Sequence, residues 1–316
     1  MKNFTSIHDV ANLQQLVQET ISLKKNPFEF NTLGRNKTIG LIFLNLSLRT
    51  RVSTQIAANN LGLQAIVLNM DKDSWTLETR DGVVMDGDKT EHAKDAIAVL
   101  GQYCDIIGVR SFPSLNDKEA DYKEEMLNLF LKYAGIPVVS LESGTRHPLQ
   151  SLADLVTIEE YKKQAKPKIV LTWAPHVKSL PQAVPNSFAE WILGADYDLT
   201  ITHPEGYELA DNFTKGAIIE HDQQKALKDA DFVYVKNWSS FTDYGKILSK
   251  DPNWTFNNEK LASTNQAKVM HCLPVRRNLV IADEVLDGPN AIVIQQAANR
   301  VFAAQAVLKN ILEGLP

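Results

Sequence analysis

Cysteine is scarce in this chain. Its 316 residues hold two, Cys104 and Cys272, far apart and with no Cys-x-x-Cys. That pattern indicates neither a disulfide framework nor a structural zinc site, and Cys104 reads as a core thiol. Basic runs are also missing: none is longer than a pair such as Arg276-Arg277, and the net charge is −5 with a pI near 5.8. This balance argues against nucleic acid as a partner, so any anion site must be local. No stretch approaches the roughly 18 uninterrupted apolar residues of a membrane span. The opening Met1-Lys2-Asn3-Phe4-Thr5 has no basic segment followed by an apolar one, so the expected setting is cytoplasmic, away from membranes. Repeats and low-complexity tracts are absent too. So is a Gly-x-Gly-x-x-Gly turn after the first apolar run, where Asn45-Leu46-Ser47-Leu48-Arg49 contains no glycine; that speaks against a dinucleotide enzyme.

What the chain does have is length and 44% hydrophobic residues, enough for two domains of about 150 residues each. Strand-like runs alternate with helical patterns. Residues 39–44, 64–68, 106–109 and 137–141 form a first set, and 168–173, 197–201, 232–235 and 268–271 a second. Gly62 and Gly101 read as helix stops. The pattern predicts two similar parallel-sheet α/β domains joined by bridging helices. Residues 1–145 form the first, 146–298 the second, and 299–316 a C-terminal helix returning to the first.

Between the first strand and a helix opening near Ser53 stands Ser47-Leu48-Arg49-Thr50-Arg51. Two hydroxyls and two guanidiniums beside the free N–H groups of a helix start suit a doubly charged phosphate. Taken alone, the same residues also suit a capped helix with solvated arginines. In a doubly wound sheet, ligands sit beyond the carboxyl ends of the strands. Arg110, Glu142, His147, Gln150, His176, Lys236, His271, Cys272, Arg276 and Arg277 all fall at such ends. Each singly has a solvated or packing alternative; together they mark one edge of both sheets.

These residues resemble the carbamoyltransferase family. Ser47-Leu48-Arg49-Thr50-Arg51 is similar to its carbamoyl-phosphate signature, and His147-Pro148-Leu149-Gln150 with Asp154 to its His-Pro-x-Gln-x-x-x-Asp motif. His271-Cys272-Leu273-Pro274 resembles the ornithine-type motif, and Gln296-Ala297-Ala298-Asn299-Arg300 the opening of the family's final helix. The Ser-Met-Gly of ordinary ornithine enzymes is absent, whereas Trp173-Ala174-Pro175-His176 and the three-proline loop from Pro175 to Pro185 resemble the N-acylornithine branch, most of all its succinyl-type members. The loss has a physical reading: an acylated α-nitrogen is a neutral amide and needs no carboxylate partner.

The resemblance implies carbamoyl transfer from carbamoyl phosphate to the δ-amine of N-succinyl-L-ornithine, within arginine biosynthesis and with no metal or organic cofactor. N-acetyl-L-ornithine as acceptor, or a non-catalytic phosphate-binding relative, are the alternatives. It also implies a knotted proline loop and a homotrimer with shared sites, Trp75 reaching into the neighbour's. By resemblance Ser47, Leu48, Arg49, Thr50, Trp75 and Arg300 bind carbamoyl phosphate, while Arg110, His147 and Gln150 also polarise it. Glu142, His176, Lys236, Cys272 and Leu273 are expected at the acceptor end, Cys272 through backbone geometry. Thr90 stands where succinyl-type enzymes carry proline and acetyl-type enzymes glutamate. A neutral Thr90, with Lys178 and Arg276 as cations, suits an acyl group that ends in a carboxylate.

Overall fold

Both sets of apolar runs become parallel sheets in the computed structural model, which describes residues 1–70 and 72–315. The chain divides into two units: residues 1–113, 120–149 and 300–316 form the first, and residues 114–119 and 150–299 the second. The C-terminal Pro316 lies outside the described residues.

In the first unit the strands are β1 (Thr38–Phe43), β2 (Gln64–Asn69), β3 (Leu77–Glu78), β4 (Glu91–His92), β5 (Ile106–Arg110) and β6 (Val138–Glu142). Four of them form one parallel sheet in the order β2-β1-β5-β6, with Ile39 opposite both Ala65 and Ile106. β5 and β6 are buried along their whole length, as near-continuous apolar runs in a helix-covered parallel sheet require. β3 and β4 pair separately and bracket an exposed loop that the sequence reading left unassigned. Gly62 does follow the helix Arg49–Asn60, at φ +72, the left-handed conformation glycine takes most readily. Gly101 does not stop its helix, which runs Ala93–Tyr103; a Cβ there would collide with the Ala134 carbonyl, so the glycine serves close packing.

The second unit contains β7 (Lys168–Trp173), β8 (Asp198–Thr202), β9 (Ile218–Glu220), β10 (Phe232–Lys236) and β11 (Lys268–Met270), all parallel in the order β11-β10-β7-β8-β9. The short, exposed β9 was invisible as an apolar run. Its core packs Val170, Val233, Val235 and Val269 against Leu227, Phe256 and Ile281. Pro185 belongs to the helix Ala183–Gly194, in the first turn, where the missing N–H costs nothing. The last helix also starts earlier than its apolar spacing indicated, at Val293, and ends at Leu312. Among the described residues, no helix is long and apolar enough to cross a membrane.

Candidate active site

In each sheet the strand order reverses once, between β1 and β5 and between β7 and β10. These are the switch points where open α/β sheets bind ligands. Both expected clusters lie there.

In the first unit, β1 leads through Asn45–Leu48 into a helix that begins at Arg49. The expected opening at Ser53 is four residues too late, so Arg49, Thr50 and Arg51 occupy the first turn. Leu48 is the N-cap and makes no side-chain capping bond. The positive end of the helix therefore opens on a turn that its N-cap side chain does not cover. Thr50 Oγ1 accepts from Arg110 Nη1 at 3.2 Å and from Arg300 Nη2 at 2.9 Å. Arg110 Nη1 also donates to Glu142 Oε2 at 2.5 Å, and that oxygen lies 3.4 Å from His147 Nε2. Arg300 Nη1 is 3.4 Å from the same nitrogen. Thr50, Arg110, Glu142, His147 and Arg300 are all buried.

Burial, with the guanidiniums of Arg300 and Arg110, drives the His147 pKa well below its usual value. Glu142 is committed to Arg110 and at 3.4 Å bonds the ring poorly, so it does not reverse this: the imidazole is neutral. His147 Nδ1 and Arg110 Nε are buried and have no hydrogen-bond partner among the described residues, which leaves them to a ligand. Glu142, expected at the acceptor end, contacts Arg110 and His147. Ser47 is half-buried beside the cluster in sequence, and Leu48 is 73% exposed, so it offers backbone rather than side chain. Trp75 is 52% exposed and donates Nε1 to Glu91 Oε2 at 2.9 Å, while Thr90 is exposed just before β4.

The second unit carries its own constellation. Gln150 and Gln296 both donate to Asp154 Oδ1, at 2.7 and 2.6 Å, and Gln296 Oε1 accepts from the His271 N–H. Asp154 thus anchors the His271 segment, a role its motif position did not announce. Leu273 sits at φ +54, a strained conformation for leucine, with its N–H on His271 Nδ1 at 2.8 Å. Lys236 ends β10 and is buried. Arg276 Nε donates to His176 Nε2 at 3.2 Å, and His176 Nδ1 faces the Lys178 backbone, 2.9 Å from its carbonyl and 3.1 Å from its N–H. Burial lowers the His176 pKa, and Lys236, Arg276 and Lys178 add to it against that carbonyl. Three cations, from residues 178, 236 and 276, therefore act on one imidazole. Sequence reasoning missed Asn237, buried next to Lys236 and donating to the Ala174 carbonyl; its signal was a polar residue just past a strand end.

Comparison with known proteins also divides the chain into two parts. Residues 2–160 match the carbamoyl-P binding domain of the aspartate/ornithine carbamoyltransferase family, and residues 182–311 its Asp/Orn binding domain. The chain is 56% identical to an N-succinylornithine carbamoyltransferase of Bacteroides thetaiotaomicron, covering all of both chains. It is 35% identical to an N-acetylornithine carbamoyltransferase of Xanthomonas campestris, over 98% of this chain and 97% of the relative. Among solved structures it is similar to acetylornithine transcarbamylase complexed with acetylcitrulline, with a TM-score of 0.92, 34% identity, and 98% and 99% of the two chains covered. It is also similar to an alanine variant of N-acetyl-L-ornithine transcarbamylase complexed with carbamyl phosphate and N-succinyl-L-norvaline, with a TM-score of 0.92, 34% identity, and 98% and 100% covered.

Proposed function

The chain belongs to the aspartate/ornithine carbamoyltransferase family, and from that premise we propose that it carbamoylates the δ-amine of N-succinyl-L-ornithine. Carbamoyl phosphate is the donor; N-succinyl-L-citrulline and phosphate are the products. Full-length 56% identity to an enzyme so named carries this reading, and the geometry supports each half of it.

On the donor side, Ser47, Leu48, Arg49 and Thr50 bind the phosphate through hydroxyls, a guanidinium and first-turn N–H groups, with Arg300 adding charge. Arg110, which shares Thr50 Oγ1 with Arg300 and so also reaches the phosphate, joins the neutral His147 in donating to the carbonyl oxygen, where negative charge develops as the amine attacks carbon. Gln150 orients the carbamoyl amide. The amine nitrogen forms the new C–N bond, the C–O bond to phosphate breaks, and the amine's proton leaves with the phosphate. Holding the two reactants side by side can supply roughly 7 to 11 kcal/mol of the barrier. On the acceptor side, Lys236 meets the α-carboxylate and the Cys272-Leu273 backbone meets the amine. We further assign the chain to a homotrimer in arginine biosynthesis, with Trp75 entering a neighbouring copy's site; its half-exposed indole supports this.

Succinyl is favoured over acetyl because Lys178 and Arg276 gather at His176, giving the terminal carboxylate two cations. Complexes of N-acetyl-L-ornithine transcarbamylases, in which a glutamate is replaced by alanine, proline, valine or serine, with N-succinyl-L-norvaline support reading Thr90 as permissive for succinyl. The test is kcat/KM for both acceptors, followed through the citrulline product. We expect succinyl preferred at least tenfold, about 1.4 kcal/mol, and Thr90→Glu to shift preference toward acetyl. Equal use of N-acetylornithine would overturn the succinyl assignment, and no turnover with either acceptor would favour a phosphate-binding relative.

A further inference from the structure

The ends of β8 and β9 carry a cluster that carbamoyl transfer does not use. His203 directly follows β8 and His221 directly follows β9, and these strands pair in parallel with Thr202 opposite Glu220. The next residue on each strand is therefore a histidine, and the two rings meet edge to face with centroids 5.0 Å apart. Glu208, from the loop after β8, completes a group whose three ligand atoms all lie within 4.8 Å of one another.

Both rings are set in the tautomer a cation requires. His203 Nδ1 is 2.9 Å from the Pro204 carbonyl and His221 Nδ1 is 3.0 Å from the His203 carbonyl. A carbonyl can only accept, so each Nδ1 carries the proton and each Nε2 keeps its lone pair. Metal-binding histidines are held in this way, by a backbone carbonyl on the other ring nitrogen. His203 is completely buried, and its Nε2 has no hydrogen-bond partner among the described residues. A pair of histidines that only pack together would leave that buried acceptor unexplained.

We propose that His203, His221 and Glu208 form a binding site for a divalent transition metal, zinc foremost, separate from the carbamoyl-transfer residues. Two imidazoles and a carboxylate suit zinc, whereas magnesium and calcium prefer oxygen. Ligand atoms of a tetrahedral zinc sit about 3.3 Å apart, given bonds of about 2.0 to 2.1 Å. The exposed Glu208 and His221 side chains close that gap onto the fixed His203. The ion clasps the segment after β8 to the sheet edge. That segment's Tyr207 packs on Trp173 at 4.7 Å and its carbonyl accepts from Trp238 Nε1, two residues past Lys236. Metal occupancy therefore braces the acceptor-side strand end.

The test is equilibrium dialysis of chelator-stripped, untagged full-length protein against zinc chloride, alongside His221→Ala and Glu208→Gln. Both substitutions alter exposed side chains, and thermal unfolding checks that each variant folds. We expect wild type to bind one zinc more than His221→Ala, Glu208→Gln to bind it at least about tenfold more weakly, and zinc to raise the Tm of wild type but not of His221→Ala. Any zinc held elsewhere cancels in the comparison. Equal stoichiometry and affinity in all three proteins would overturn the site, and magnesium displacing the zinc at equal concentration would overturn the choice of metal.

Discussion

Thr50 accepts hydrogen bonds from two buried guanidiniums on one oxygen, so the Arg110 and Arg300 side chains are held together beside the helix start to which the proposed function assigns the phosphate. Losing a charge-assisted bond to a buried anion costs about 1.5 to 3 kcal/mol. Arg49→Ala and Arg110→Ala should therefore each lower kcat/KM at least tenfold, and near-normal turnover in a folded variant would remove these residues from the donor site. Cys272→Ser should keep measurable turnover, because the amine is already the nucleophile; a dead but folded variant would point to thiol chemistry. His147 makes a prediction about pH. Its folded pKa lies well below the usual 6.5, so between those values the unfolded chain binds a proton that the folded chain does not. Stability is therefore intact above about pH 6.5 and declines as pH falls below it, by up to about 1.4 kcal/mol per unit. Urea unfolding from pH 7.5 to 5 should show a shallower decline in His147→Gln.

At the level of elements, long apolar runs were legible because burial on both faces of a parallel sheet demands them: β1, β5, β7 and β10 follow from Leu41, Val109, Val170 and Val233. Edges and starts were not. β9 pairs on one side and stays largely exposed, so it needs no apolar run. The helix at Arg49 opens on residues chosen for charge rather than for capping, so the usual start signals were missing. Gly101 misled for a related reason: the position answers to a neighbour's carbonyl rather than to its own helix. Alanine there gains helix propensity, about 1 kcal/mol, but must push the Ala134 backbone away, typically about 1 to 3 kcal/mol. Gly101→Ala should thus unfold at lower urea than wild type, and an unchanged midpoint would mean the backbone yields freely.

For the whole molecule, a net charge of −5 conceals cations concentrated at two switch points, one per unit. The motifs made the residue types at both points legible. Which of them touch was not, because contact depends on sheet order: neighbouring β1 and β5 join Thr50 to Arg110 across 60 positions. Asp154 and Gln296, 142 positions apart, illustrate the same limit. The loop between β3 and β4 leaves Val84 81% exposed, and Trp75, just before β3, is half exposed, apolar surface that the proposed trimer would cover. Sedimentation should give about three times the 35.3 kDa chain mass, and Trp75→Ala should lower activity while leaving the unfolding midpoint unchanged. A fully active monomer would refute the shared site.

The short bond between Arg110 and Glu142 also bears on how the products depart. The carboxylate is a tethered anion already seated on the guanidinium to which the proposed function assigns carbamoyl phosphate, so on that proposal donor binding is an exchange of one anion for another. On that proposal, such a built-in rival would weaken the grip on carbamoyl phosphate and on inorganic phosphate alike, and so would keep the enzyme from stalling on its own product. Glu142→Gln should therefore be inhibited by phosphate at several-fold lower concentration than wild type, even as its turnover slows; unchanged inhibition would show that the carboxylate does not compete.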